Sequence, residues 1–137
     1  RAVSAMIGLN TTEKYTSVCL DTGCSATIIN TDLARSLGTE IHHTEAPLNV
    51  SGIGSRHQAT EYTMFKVYIP RQLHEDRLVQ SYGHPSYAAV TIKAYLVENL
   101  RPNLLIGTDT IGREGIILDY KRQTTSIRGC QNFVFPI

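Results

Sequence analysis

A single acidic side chain interrupts the apolar run at residues 18–29, VCLDTGCSATII, and threonine and glycine follow it at once. A carboxylate among apolar neighbours is costly unless it is paired or used. Two apposed carboxylates that share one proton can activate a water with one group and protonate a leaving amine with the other. In that chemistry Gly23 lets the backbone turn sharply and brings its amide close to the Asp21 carboxylate, while the Thr22 hydroxyl can reach a partner loop. The chain holds one Asp-Thr-Gly and no Asp-Ser-Gly. Only half of such a pair is therefore encoded, and the second Asp21 has to come from a second copy on a two-fold axis. Asp109, in GTDT, lacks a following glycine and reads as the cap of a short helix.

The elements that must hold Asp21 are short apolar or alternating runs broken by turn residues, which predicts an all-β domain. AVSAMIGL (2–9) and YTSVCL (15–20) flank the polar NTTEK as a hairpin, and SATII (25–29) continues as a strand after the Asp-Thr-Gly turn. NTDLARSLG (30–38) is the first helical candidate, with Asn30 or Thr31 as cap and Gly38 as terminator. Residues 46–70 read as two β arms around the tip Ser51-Gly52-Ile53-Gly54-Ser55, where two glycines bracket one apolar residue. The stretch 71–86 is polar and reads as a long surface loop. Strands follow at 87–97 and 101–107, then a short helix or turn in TDTIGREG, a hairpin over 116–127, and a last alternating segment, NFVFPI.

The 137 residues, 42% of them apolar, suit one domain with a real core. Thirteen basic against twelve acidic side chains give a net charge of +1, which gives no reason to expect nucleic acid or an anionic membrane as partner. No apolar stretch approaches the ~20 residues needed to cross a bilayer, and the N-terminus lacks a signal-peptide core. Cys19, Cys24 and Cys130 cannot all pair and show no zinc spacing, so a reducing compartment and a non-secreted protein are expected. The sequons at Asn10 and Asn49 are discounted accordingly. The five histidines lack ligand spacing, and no metal is expected. The start at Arg1 fits a fragment or a processed product.

The order of hairpin, LDTG, strand, glycine-rich hairpin SGIGS and a late LLIG before a short helix resembles the retropepsin family of aspartic proteases. DTGCSATIIN…LARSLG and LIGTDTIGREGI are most similar to proteases embedded in polyproteins of gypsy-type LTR retrotransposons. The resemblance runs from about Tyr15 to Cys130. It implies a retropepsin fold: a single-lobe, β-barrel-like domain with a flap hairpin, working as a two-fold homodimer. Asp21, Thr22 and Gly23 would be the catalytic triplet, with Thr22 locking the two loops together. Ser51, Gly52, Ile53 and Gly54 would form the flap tip over a peptide also contacted by Cys19, Cys24, Ser25, Asn103 and Leu105. Ile106 and Gly107 would support the catalytic loop, and NFVFPI would form an intermolecular sheet at the dimer base.

The implied activity is endopeptidase cleavage of a retroelement polyprotein, without metal or organic cofactor, in the cytoplasm or within virus-like particles. A cellular or domesticated protease acting on host proteins, or an inactive dimeric peptide-binding relative, would carry much of the same pattern. The sequence departs from the family in three places. Cys24 stands where alanine is common, Thr108 replaces a basic residue, and the 71–86 loop is longer than in compact viral members.

Overall fold

The computed structural model describes residues 2–8, 15–50, 57–70 and 87–136. The expected flap tip at 51–55 and the loop at 71–86 lie outside the described residues. The described chain is mostly strand: β1 (Ala2–Gly8), β2 (Tyr15–Leu20), β3 (Ile28–Asn30), β4 (Ile41–Val50), β5 (His57–Pro70), β6 (Tyr87–Val97), β7 (Leu104–Ile106), β8 (Ile116–Asp119), β9 (Thr124–Ile127) and β10 (Phe133–Pro136). Two short helices, α1 (Thr31–Ser36) and α2 (Thr108–Glu114), interrupt them, and Arg128–Cys130 form one 3₁₀ turn.

Hydrogen bonding orders the main sheet β1-β2-β7-β3-β6-β5-β4, and β1 also pairs with β5 through Met6 and Tyr68. Six strands thereby close into a ring, and β4 extends from β5 outside it. A closed ring has no free edge strand of its own, which removes one route to aggregation. Alternation along β5 and β6 sends Phe65, Val67, Ile69, Ala88, Val90, Ile92 and Ala94 inward. β8, β9 and β10 form a separate three-stranded sheet. Its apolar face adds Ile116, Ile127, Phe133 and Phe135 to the same core.

Several boundaries differ from the sequence expectation. The strand expected at 25–29 is confined to β3, because 21–27 is a loop whose polar groups bond to another part of the chain. The strand expected at 101–107 shrinks to β7, and the first arm of the hairpin starts earlier, at Ile41. β10 pairs with β9 within the chain, Phe133 opposite Ile127 and Phe135 opposite Thr125. β10 is the outer strand of this small sheet, and both phenylalanines fill the chain's own core.

Asn30 joins β3 to α1. Its Oδ1 accepts from the amides of Asp32 at 2.9 Å and Leu33 at 3.4 Å, while its Nδ2 donates to the Leu100 carbonyl at 3.1 Å. Gly38, with φ of +73°, lets the chain leave the helix in a left-handed conformation. Asn30→Ala removes the cap and the tie to Leu100 together. A loss of about 1–2 kcal/mol is expected, read as a lower urea midpoint at unchanged slope.

Candidate active site

β7 lies between β2 and β3, parallel to the first and antiparallel to the second. The chain leaves β2 at Leu20, arches over the end of β7 and returns as β3, so residues 21–27 span the point where β7 becomes α2. The buried part of this loop, at Cys24, Ala26 and Thr27, must find partners for its polar groups. The Asp21 amide donates to the Ile106 carbonyl at 3.0 Å, and the Thr108 amide donates to the Cys24 carbonyl at 2.8 Å. Gly107 passes directly beneath. A Cβ there would lie 2.5 Å from the Ala26 oxygen and 2.7 Å from the Cys24 oxygen, so no side chain fits without moving backbone.

Thr27 and Asp109 complete the brace. Asp109 accepts from the Thr27 amide at 3.1 Å and the Thr27 hydroxyl at 2.7 Å. The Thr27 oxygen also accepts from the Gly107 amide at 3.2 Å and lies 2.7 Å from the Thr110 hydroxyl. With its own proton on Asp109, Thr27 takes its bond to Thr110 as acceptor, and every capacity of the hydroxyl is used. Asp109 also accepts from the Thr110 amide at 2.7 Å within the first turn of α2, whose N-cap position is Gly107, so the expected cap is replaced by a bond to a first-turn amide. Its larger role is holding a loop 82 residues earlier in the chain. Sequence reasoning missed Thr27 and Thr110 altogether and assigned Asp109 only the local half of its work.

Within the loop, the Gly23 amide donates to Asp21 Oδ1 at 2.8 Å, and a Cβ on Gly23 would meet that oxygen at 3.1 Å. The carboxylate is therefore oriented by its own turn. Asp21 is partly exposed, whereas Thr22, Gly23 and Ser25 are exposed on the outer side of the arch.

A second apolar cluster lies beside the loop: Cys24, Ile28, Val50, Ala59, Val97, Leu100 and Leu105, with Cys19, Leu48 and Tyr95 partly buried against it. Register explains its composition. Cys19, Leu105, Ile28 and Tyr95 are successive partners across β2, β7, β3 and β6, so one row of side chains crosses the sheet on the face opposite the barrel core. Val50, Leu48 and Ala59 bring in the arms of the β4–β5 hairpin.

Of the expected substrate contacts, Cys19 and Ser25 retain exposure and Asn103 is exposed, its carbonyl accepting from the Asn30 amide at 2.8 Å. Leu105 is buried in the cluster. Cys24 is 0% exposed, and its Sγ donates to the Ala26 carbonyl at 3.2 Å, so its thiol points into the chain instead of forming part of an open surface. The loop turns Cys24 inward to accommodate the bend after Gly23, which strand parity does not foresee. Ile106 and Gly107 lie under the arch, and the four flap-tip residues Ser51, Gly52, Ile53 and Gly54 fall outside the described residues. Among the described residues no group of three or more His, Cys, Asp or Glu is arranged to hold a metal ion.

A closed barrel with a β strand threaded beneath an Asp-Thr-Gly arch has a retropepsin-like fold. Among solved structures, the chain is similar to the retroviral protease-like domain of Ddi1 from Leishmania major, with a TM-score of 0.60 and 17% sequence identity, covering 99% of this chain and 94% of that one. No protein-family model and no curated protein matches the chain.

Two outcomes test the local geometry. Thr27→Val keeps the shape but leaves Asp109 and the Gly107 amide short of partners, and a loss of about 1–3 kcal/mol of unfolding free energy is expected in urea. Burial pushes the Cys24 thiol above its ordinary value of 9.0, and the charges of Asp21 and Asp109 push the same way. A folded-state pKa above the unfolded one stabilises fully below the unfolded value and is lost as pH rises through the folded one. The stability of the native chain relative to Cys24→Ser is therefore expected to hold constant at neutral pH and to fall above about pH 9. A difference flat across the alkaline range would contradict a buried thiol.

Proposed function

We propose that this chain is one subunit of an aspartic endopeptidase, active as a homodimer whose two Asp21 carboxylates share a proton. One observation carries the reading. Asp21 is held by the Gly23 amide on the exposed side of the arch, whereas Asp109 is committed to Thr27 and Thr110. One chain thus offers half of a dyad, and a second copy supplies the rest. The fold likeness supports this placement.

In the dimer, one Asp21 acts as general base on a water that attacks the scissile carbonyl. The protonated partner polarises the carbonyl oxygen, and a proton then passes to the leaving nitrogen. Thr22 and Gly23, exposed beside Asp21, face the second loop and the peptide backbone. The partly exposed rim of the second cluster (Cys19, Leu48 and Tyr95) offers an apolar wall to the flanking side chains. β4 and β5 carry the 51–55 tip as a flap that closes on an extended peptide. The chemistry requires no metal or organic cofactor.

The substrate is a retroelement polyprotein, including the protease's own precursor, met in the cytoplasm or inside virus-like particles. The DTGCSATIIN wording supports that assignment. The likeness to a domain of Ddi1, a cellular relative, supports a second reading in which host proteins are cut.

Incubation with a peptide library is expected to give cleavage between apolar residues, blocked by a transition-state inhibitor of aspartic proteases. Asp21→Asn should lower the rate by roughly 10³-fold or more while leaving the fold and dimer intact. Mixing wild type with excess Asp21→Asn should suppress activity by forming mixed dimers. Retained cleavage by the variant would sink the mechanism, and specific activity independent of dilution below the dimer's dissociation range would sink the shared site.

A further inference from the structure

The row of side chains that passes beside the arch does not end at Tyr95. Register carries it on through Tyr62 of β5 to His42 of β4, so Cys19, Leu105, Ile28, Tyr95, Tyr62 and His42 cross six strands in one line. Two residues along from Tyr62 and Tyr95 on the same outer face, Met64 of β5 stands opposite Lys93 of β6; two further, Lys66 stands opposite Thr91. Met64 is 50% exposed. Lys66 is exposed too, and its partner on β1 is Gly8, which sets no side chain beside it.

The charge on this face is fixed in place and uncompensated. Lys93 Nζ lies 4.3 Å from the centre of the Tyr62 ring and 5.4 Å from that of Tyr95, and Tyr62 stacks on His42 at 5.1 Å. The rings hold the ammonium without neutralising it. Among the described residues, neither Lys93 nor Lys66 forms an ion pair. The outward positions of β5 from Tyr62 to Tyr68, and of β6 from Ala89 to Tyr95, carry no carboxylate. Glu40, just ahead of β4, is exposed and reaches neither lysine. Two cations on neighbouring strands with a half-exposed methionine between them are complementary to a partner that brings negative charge and an apolar side chain together. A nucleic acid would find cations here but no open stacking platform, since the tyrosine rings are already engaged with one another, with His42 and with Lys93.

We propose that Lys93, Lys66 and Met64 form an accessory docking surface, outside the arch, for an acidic segment of the protein that the arch cleaves. The identity of the occupant rests on the peptidase reading; the surface itself does not need catalysis. Continuity with the wall beside Asp21 carries the link. With strands ~4.8 Å apart, the four steps from Cys19 to Tyr62 cover roughly 19 Å of sheet, a span that an extended segment of about six residues bridges. A substrate lying in the arch therefore reaches Lys93 with side chains several residues from the cleaved bond. Asp or Glu side chains pair with Lys93 and Lys66, and an intervening apolar residue packs on Met64.

The binding test uses the full chain carrying Asp21→Asn, so that cleavage cannot consume the probe, and a fluorescein-labelled octapeptide of alternating Glu and Leu. Saturable binding is expected by anisotropy, weakening as salt rises, with NMR shifts centred on Met64, Lys66 and Lys93. An octapeptide of alternating Gln and Leu should bind at least tenfold more weakly. Lys66→Glu combined with Lys93→Glu should weaken the acidic probe by a similar factor, with circular dichroism confirming the fold. Met64→Thr, which leaves both charges, should cost about threefold or more, and Lys121→Glu on the β8–β9 turn should cost nothing. The second test uses the wild-type chain and a peptide that it cleaves. Adding Glu-Leu-Glu-Leu about six residues from the cleaved bond, at each end in turn, should lower KM at least fivefold from one end with kcat unchanged, and the double lysine variant should lose that gain. Equal affinity for the acidic and neutral probes, equal competition by a ten-nucleotide oligothymidylate, shifts centred on Asp21, no binding, or no gain in KM from either end would each overturn the proposal. Absence of any cleavage would instead sink the peptidase reading, and the binding test would still decide the surface.

Discussion

A loop that crosses the end of a buried strand carries peptide groups into a place with little water, and the structure around Asp21 depends on how they are satisfied. The answer is a cross-brace. Thr27 at the end of the arch and Asp109 at the start of α2 bind each other through amide and hydroxyl, and Gly107 is bare so that the strand can pass below. An Asp109 carboxylate used in this way is committed to the brace, whereas Asp21 is oriented by the amide of its own turn. The two acidic residues differ through environment, because one faces a pair of threonines and the other faces outward.

This division explains what could be read from the sequence. Local signals read well. The Asn30 cap, the Gly38 terminator, the alternation of β5 and β6 and the hairpin of β8 and β9 are all settled within a few residues of one another. The partners of Thr27, Asp109 and Thr110, are 82 and 83 residues away and carry no spacing signal, since a carboxylate bonding a distant amide leaves no periodicity in the chain. Cys24, a peptide contact only by the resemblance, is turned inward by the arch. Alternation holds along β2, where Cys19 shares a face with Leu105, but a loop has no such period to read. The alternation of Phe133 and Phe135 correctly marked a buried face without saying which strand would accept it.

The small sheet has a further consequence. Barrel and small sheet share one core, so the helix that anchors the arch, α2, is clamped between β7 and β8. Loosening the β8–β10 face should therefore reach the arch through α2. Rigidity at the site is thus a property of the whole described core, as expected where a functional group must be held by elements distant in sequence.

The β4–β5 hairpin obeys the opposite requirement. Its arms part from β6, which pairs with β5 only from Tyr62 onward. That departure begins at Tyr62, where the outward row His42, Tyr62 and Tyr95 stacks across three strands, with Lys93 4.3 Å above the Tyr62 ring. Aromatic and cation–π contacts there hold the three strands together at the last point where they run side by side. Beyond it the arms of the hairpin turn to the second cluster, where Val50 and Ala59 are buried against Cys24, Ile28 and Leu105.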